Sequence, residues 1–208
     1  MKTMSWFLSL AGLSLLYVTS AAAQGSVDAY VGVGGITDKS NGLAIDTFGT
    51  GNFANTPTLK GVTMDMGGSI FVTPHFGFGG ELSFRPGKSD YSGLQYRPMF
   101  YDFNGIWKPS LKSKRVVSEF KGGVGGVNLR FYAPSACDVF AGCSSANTFL
   151  ESSNHFQVHA GAGVRFYVTP SIFVRPQFDL HWVHNFFQFG SDIVPQYSAV
   201  VGYTFGGR

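Results

Sequence analysis

The side chains best equipped for chemistry in this sequence are nine acidic and basic residues set inside otherwise apolar segments. Alternate side chains of a β-strand point to opposite faces, and each of these charges falls on the polar or small face of its segment. Inside a closed barrel such charges can form a path for protons or ions, or they can pair and fill the interior. The nine residues are Asp65, Glu81, Arg85, Asp102, Glu119, Lys121, Arg165, Arg175 and Asp179.

The histidines do not form a metal-binding motif by their spacing. His155 and His159 share a face, but four residues separate them, which is roughly 13 Å along a strand. His181 and His184 point to opposite faces. Neither pair can chelate a metal without a ligand from another strand, so we predict no metal site.

Two glycine clusters, residues 32–35 and 122–126, do not indicate nucleotide binding. Neither is a complete GxGxxG motif opening a helix, and the sequence has no GK[ST]. Glycine within barrel strands leaves room in the interior and relieves curvature. We therefore predict no cofactor and no catalytic residues.

The cysteines are close together, at Cys137 and Cys143 in the segment CDVFAGC. An exported protein meets an oxidising compartment, where two neighbouring cysteines favour a local disulfide. We predict that this bond closes a small loop.

The elements that position these residues are clearest in the stretch His155–Trp182, HFQVHAGAGVRFYVTPSIFVRPQFDLHW. Apolar residues occupy every second position on both sides of a turn at Thr169-Pro170-Ser171. The pattern predicts a hairpin of two strands longer than soluble strands usually are. One face suits lipid and the other suits the interior of a closed barrel.

The same alternation predicts eight strands, with short turns after the even-numbered strands and longer loops after the odd-numbered ones. The two longest loops are Asp38–Leu59 and Ala133–Asn154. An eight-strand interior is only just wide enough for side chains, so we favour a paired network over an ion path. Besides the two strands of the hairpin, we expect strands at Ser26–Thr37, Lys60–Val72, Phe76–Arg85, Gln95–Trp107, Arg115–Tyr132 and Gln196–Phe205.

The fifth strand breaks the alternation. Glu119 and Lys121 share one face, but Asn128 and Arg130 fall on the other. A bulge within Gly122–Gly126 would switch the parity and bring all four to one side.

Composition and the N-terminus fit export. Charged residues make up 13% of the chain, against a typical ~25%, and the net charge of +3 is too small to indicate nucleic-acid binding. A basic start, an apolar run from Trp6 to Val18 and an Ala-rich ending predict a signal peptide at residues 1–23, cleaved after Ala23. Residues 24–208 then form one domain. We predict an all-β, eight-stranded antiparallel up-and-down transmembrane barrel.

From Gly25 to Phe205 the chain resembles the small eight-stranded outer-membrane β-barrels, the OmpA-like and OmpX-like barrel domains. The resemblance rests on the signal peptide, the repeated Val-Thr-Pro turns at residues 72–74 and 168–170, and the terminal Tyr203-Thr204-Phe205. It implies an outer-membrane location, and it implies outer-membrane lipids, lipopolysaccharide and the barrel-assembly machinery as partners. Gly206-Gly207-Arg208 departs from the family's usual terminal aromatic residue.

A shared fold does not fix a function, so several functions remain open. The main hypothesis is a non-enzymatic barrel for envelope integrity, adhesion or contact with an unknown surface ligand through its long loops. Their aromatic residues are candidate contacts. A narrow porin-like channel, a lipid A-modifying enzyme and a soluble lipocalin-like barrel are the alternatives. The His-x-Ser pair of some lipid A deacylases is absent at His184, which Asn185 and Phe186 follow. The loop aromatics are Phe48, Phe53, Phe140 and Phe149.

Overall fold

The structure is a computed structural model in which the predicted signal peptide, residues 1–23, lies outside the described part of the chain. The described residues are 25–37, 43–46, 49–91, 93–109, 113, 115–133, 137–138, 142–143, 148–186, 189 and 191–206.

Eight long antiparallel strands form a closed barrel. Each strand pairs with the next in sequence, and the first pairs with the last. The predicted fold class is therefore confirmed. The strands are β1 (Ser26–Ile36), β2 (Gly61–Phe71), β3 (Phe76–Phe84), β4 (Leu94–Trp107), β5 (Val116–Tyr132), β6 (Phe149–Tyr167), β7 (Ile172–Val183) and β8 (Ile193–Phe205).

The end of the barrel with the longer loops, here called the external end, holds more strand than the sequence predicted. β6 begins at Phe149 rather than at His155, with a register shift against β5 between Phe149 and Glu151. Part of the predicted loop Ala133–Asn154 is therefore strand. Short strands also form beyond the barrel wall: Ala44–Ile45 pairs with Ala54–Asn55, Ser89–Tyr91 pairs with β4, and Cys137–Asp138 pairs with Gly142–Cys143.

The short turns at the opposite end share one device, a hydroxyl that accepts backbone hydrogen bonds. Thr73 Oγ1 accepts from the amides of His75 and Phe76 at 3.3 and 3.0 Å. Thr169 Oγ1 accepts from Ser171 and Ile172 at 3.4 and 2.9 Å. The repeated Thr-Pro motif thus forms the same turn at both positions, because the threonine hydroxyl takes the place of a backbone acceptor.

The outer wall carries an exposed apolar band. On β6 it runs from Phe156 to Phe166, both about half exposed. Ten residue steps measure roughly 33 Å along a strand, or about 25 Å across a membrane at the usual tilt, which is the height of the lipid-facing band of outer-membrane barrels. The described residues include no helix that is long and apolar enough to cross a membrane.

The strand β5 crosses its glycine segment without the bulge proposed from the sequence. Its register with both neighbours runs unbroken through Gly122–Gly126. Val127 and Leu129 continue the inward face of Glu119 and are fully buried, while Arg130 is exposed outside. The same alternate residues face inward along the whole strand. Near the external end, however, the inward side chains become apolar and the outward ones polar.

Two substitutions of equally exposed phenylalanines test whether the band meets lipid. Phe103 on β4 is 74% exposed and Phe53 in the first loop is 72% exposed. Phe103→Arg should lower the free energy of unfolding in lipid vesicles by about 2–4 kcal/mol, because arginine is costly near the bilayer midplane. Phe53→Arg should change it by less than about 0.5 kcal/mol. Equal effects in equilibrium urea titrations would contradict a lipid-facing band.

Candidate functional site: the barrel interior and the external end

The charged layer nearest the short turns lies around Glu119. Glu119 accepts hydrogen bonds from Arg165 and Arg175, which come from β6 and β7. Arg165 also pairs with Asp28 of β1. Arg165 is 0% exposed, so its charge is compensated by these two carboxylates rather than by water.

A second ionic layer lies around Lys121 and Glu81. Lys121 Nζ is 2.6 Å from Glu81 Oε2 and 3.0 Å from Asp179 Oδ1. Glu81 also accepts from the Tyr30 hydroxyl at 3.1 Å and from Gln177 Nε2 at 2.7 Å. Each carboxylate thus has several donors from different strands, as a buried charge requires.

A third layer holds two stacked histidines. His159 lies with Nε2 3.1 Å from Asp179 Oδ1 and with Nδ1 2.8 Å from Asn104 Oδ1. Its Nδ1 is also 3.6 Å from Asp102 Oδ1. The ring of His181 stacks on it at 4.7 Å and 20°. Among the described residues, neither ring nitrogen of the buried His181 has a hydrogen-bond partner.

Two of the predicted interior charges lie apart from these layers. Arg85 is buried near the external end, where it donates to the carbonyl oxygens of Leu59 and Lys60 rather than to an acid. Asp65 accepts from Gln196 Nε2 at 2.8 Å. The structure therefore buries all nine predicted residues and brings the other seven together.

Sequence reasoning missed several members of the three layers. Asp28 was detectable, because it alternates with apolar residues in β1, but it was not assigned to the network. The contact of His159 with His181 was hidden, because it depends on the register that places them opposite each other. Glycine within the strands was expected to leave room in the interior, and the room at Gly161 is filled by two charged side chains. A Cβ there would collide with the side chains of both Asp179 and Lys121, so a larger residue would displace the groups of this ion pair. The polar residues that contact the charged and imidazole groups of the layers are Tyr30, Asn104 and Gln177.

Above the histidines, the interior becomes apolar. Phe100 packs against His181 with ring centroids 5.1 Å apart, and Phe186 stacks on Phe189 at 4.6 Å. This apolar cap closes the described part of the interior toward the long loops. It comprises Ile36, Leu59, Tyr91, Tyr96, Phe100, Val127, Leu129, Val183, Phe186, Phe189 and Val194.

The outer surface beside the cap is polar and basic. Arg97 of β4 and Arg130 of β5 are direct cross-strand partners, on the face that carries Phe103 farther down. Arg130 Nε donates to Asn128 Oδ1 at 3.0 Å, and Lys88 lies over the ring of Tyr132 at 4.1 Å. Like charges directly opposite each other destabilise a sheet unless an anion lies between them.

A serine and a histidine also meet at the external end. Ser153 Oγ lies 2.9 Å from His155 Nε2, and His155 Nδ1 lies 3.3 Å from the carbonyl oxygen of His184. A nucleophile, a base and an orienting acceptor are three parts of nucleophilic catalysis. The third part is a carbonyl here, where many hydrolases use a carboxylate.

The two cysteines of the predicted disulfide lie on the paired two-residue strands Cys137–Asp138 and Gly142–Cys143. Cys137 and Cys143 are direct antiparallel partners. Directly opposed residues have Cα atoms about 4.5–5.5 Å apart, which lies within the range that a disulfide spans. The bond itself stays a prediction.

Comparison with solved structures finds the same fold in small outer-membrane barrels at low sequence identity. OprG of Pseudomonas aeruginosa superposes with a TM-score of 0.53 at 10% identity over 88% of this chain and 96% of that chain. Ail, the attachment invasion locus protein of Yersinia pestis, gives 0.52 at 14% identity over 88% and 99%. The N-terminal barrel of Pseudomonas aeruginosa OprF gives 0.51 at 11% over 88% and 98%. No protein-family model and no curated protein matches the sequence.

Glu119→Gln tests whether the interior depends on charge compensation. The amide keeps the shape of the side chain but leaves Arg165 and Arg175 without their shared carboxylate. We expect the free energy of unfolding to fall by about 3–5 kcal/mol, as for other buried pairs that lose one partner. The exposed Glu151→Gln is the matched control and should change it by less than about 0.5 kcal/mol in the same urea titration.

Proposed function

We propose that this protein is an integral outer-membrane barrel that acts as a closed scaffold for contacts at the cell surface. The observation that supports this most is an exposed apolar band outside together with an interior in which Lys121, Arg165 and Arg175 are each paired with carboxylates. The fold shared with OprG, Ail and OprF agrees with that location. A soluble lipocalin-like barrel would need the opposite arrangement, an apolar interior along the whole strand length.

The packing of the interior favours a scaffold over a channel. Arg165 and Arg175 are each held between carboxylates, and the apolar cap lies over the histidine layer. An ion that crossed would have to break charge-assisted bonds and then pass aromatic side chains that offer it no ligand. The charged layers are therefore proposed to hold the strands together.

The external outer face is proposed to bind anionic lipid headgroups. Arg97 lies four residues beyond Tyr101, roughly 10 Å farther along the membrane normal at the usual tilt, which is headgroup level. The Arg97 side chain is partly exposed, and its Nη2 donates to the carbonyl oxygen of Pro86 at 3.0 Å. The phosphates of lipopolysaccharide would neutralise Arg97 and Arg130 together.

Contacts at the cell surface would use the loops and strand ends that extend beyond the headgroup level of Arg97 and Arg130. Phe53 is exposed, and Phe149 packs edge-on against Tyr132 while remaining half exposed; Phe48 and Phe140 lie outside the described residues. The signal peptide would export the chain, and the aromatic end of β8 would engage the barrel-assembly machinery. The surface ligand is unidentified. Ail, which shares the fold, was crystallised with a heparin analogue, sucrose octasulfate, so binding of a sulfated glycan is one property to assay.

Gel mobility and conductance test the scaffold. The mature chain, extracted with detergent, should migrate differently before and after boiling, and it should give no steady conductance in planar bilayers. A steady conductance that Arg175→Met abolishes would contradict the scaffold and support a channel. Recovery of the unextracted chain as a water-soluble monomer would contradict membrane insertion.

Lipopolysaccharide binding tests the basic face. In lipid nanodiscs, Arg97→Gln with Arg130→Gln should weaken binding about 30-fold, since each cation near an anionic surface contributes about 1 kcal/mol. Arg115→Gln is the control, because Arg115 is exposed at the opposite end. Equal weakening for each charge removed would indicate bulk charge rather than this site.

A second candidate function is ester cleavage by Ser153 and His155. Their contact, with the His184 carbonyl behind the ring, is the observation that favours it. Expression in a Gram-negative host followed by mass spectrometry of lipid A would show loss of an acyl chain if the activity exists. Ser153→Ala should then restore the acyl chain. An unchanged lipid A profile for both proteins would remove this candidate.

A further inference from the structure

We propose that Asp102, His159 and His181 form a binding site for a divalent transition metal, with Zn²⁺ as the preferred ion. One ligand atom from each side chain lies within 4.8 Å of the others, and all three residues are buried. The three come from β4, β6 and β7. The sequence analysis compared histidines that are close along the chain, whereas His159 and His181 meet across two paired strands. The cluster was therefore not expected from spacing.

One of the separations is already close to that of a metal site. A tetrahedral Zn²⁺ with bonds of about 2.0–2.1 Å holds its ligand atoms roughly 3.3 Å apart. His159 Nδ1 and Asp102 Oδ1 are already 3.6 Å apart. Asn104 Oδ1, 2.8 Å from the same nitrogen, or a water can supply the fourth ligand.

His181 gives an independent reason to expect a ligand. It is 3% exposed, and neither of its ring nitrogens has a partner among the described residues. A buried polar group without a partner is costly, so native structures usually provide one. Turning this ring toward Asp102 breaks no hydrogen bond. It changes only the ring contacts of His181 with His159 and Phe100.

The surrounding charges also favour a dication. Arg165 and Arg175 are balanced by Asp28 and Glu119. The layer around the histidines has three carboxylates and one ammonium group, which leaves two negative charges when the imidazoles are neutral. A divalent ion would neutralise them, and two imidazoles with one carboxylate suit zinc better than magnesium or calcium. The four charged residues are Glu81, Asp102, Lys121 and Asp179.

The location predicts how the metal would be acquired and what it would do. The apolar cap and the lower ionic layers enclose the site, so metal would enter while the barrel folds and would exchange slowly afterwards. Once bound, it would link β4 to β6 and β7 across the interior. The bound ion would then raise the unfolding midpoint, because it binds only the folded state.

The test uses the full mature chain, refolded into detergent micelles with Zn²⁺ or with a chelator. After gel filtration, atomic absorption should find one zinc per barrel, and Co²⁺ in place of zinc should give visible absorption bands. Zinc should also raise the unfolding midpoint. His181→Phe, which gives up no hydrogen bond and should still fold, and Asp102→Asn should each weaken binding by at least about 100-fold.

The matched control is His155→Gln, which removes an imidazole from the same strand and should bind zinc like the unsubstituted chain. Heat-dependent gel mobility checks that each variant is folded. The proposal is overturned if the refolded chain retains no zinc, if His181→Phe retains as much as the unsubstituted chain, or if a crystal grown with zinc shows only a water on His181.

Discussion

The constraint on which the rest of this structure depends is the width of an eight-strand barrel. Its interior holds side chains but no column of water, so a charge placed there must be neutralised by other side chains. Arg165 shows the consequence, since it has no exposed surface and is held by Asp28 and Glu119 from two other strands. The network is therefore a condition for closing the barrel.

The same strands build two kinds of core in succession. Along β5, Glu119 and Lys121 face inward below, and Val127 and Leu129 face inward above, with no change of register between them. In the proposed membrane location the lower part has lipid outside, so polar side chains face the interior there. The upper part has water outside, where Arg130 is exposed, so apolar side chains fill the interior as in a soluble barrel. The point along β5 at which the inward side chains change from polar to apolar therefore corresponds to the proposed level of the membrane surface.

The sequence predicted the strands well because the two-residue period and the Thr-Pro turns are local signals. The nine charges that it placed inward are buried for the same reason, whereas the buried Asp28 was not included among them. The prediction failed where the outcome depends on what surrounds the strand. The alternation of apolar and polar residues breaks near Gly122–Gly126, which suggested a bulge. The backbone register is continuous there, and the break reflects the different environment outside the strand beyond this point. The start of β6 at Phe149 was missed because residues 151–154 are polar and show no alternation. They form strand because β5 beside them supplies the backbone hydrogen bonds.

Partners within the interior could not be read from spacing at all, because register decides them. His159 and His155 are close in sequence and far apart along the strand, whereas His159 and His181 are 22 positions apart and directly opposed. A slip of one residue would turn one histidine to the outer face and leave Asp179 without His159. The hydrophobic pattern of β6 and β7 fixes the register, since any slip would bury charge in lipid. The lipid-facing residues thus determine, at a distance, which polar groups meet inside.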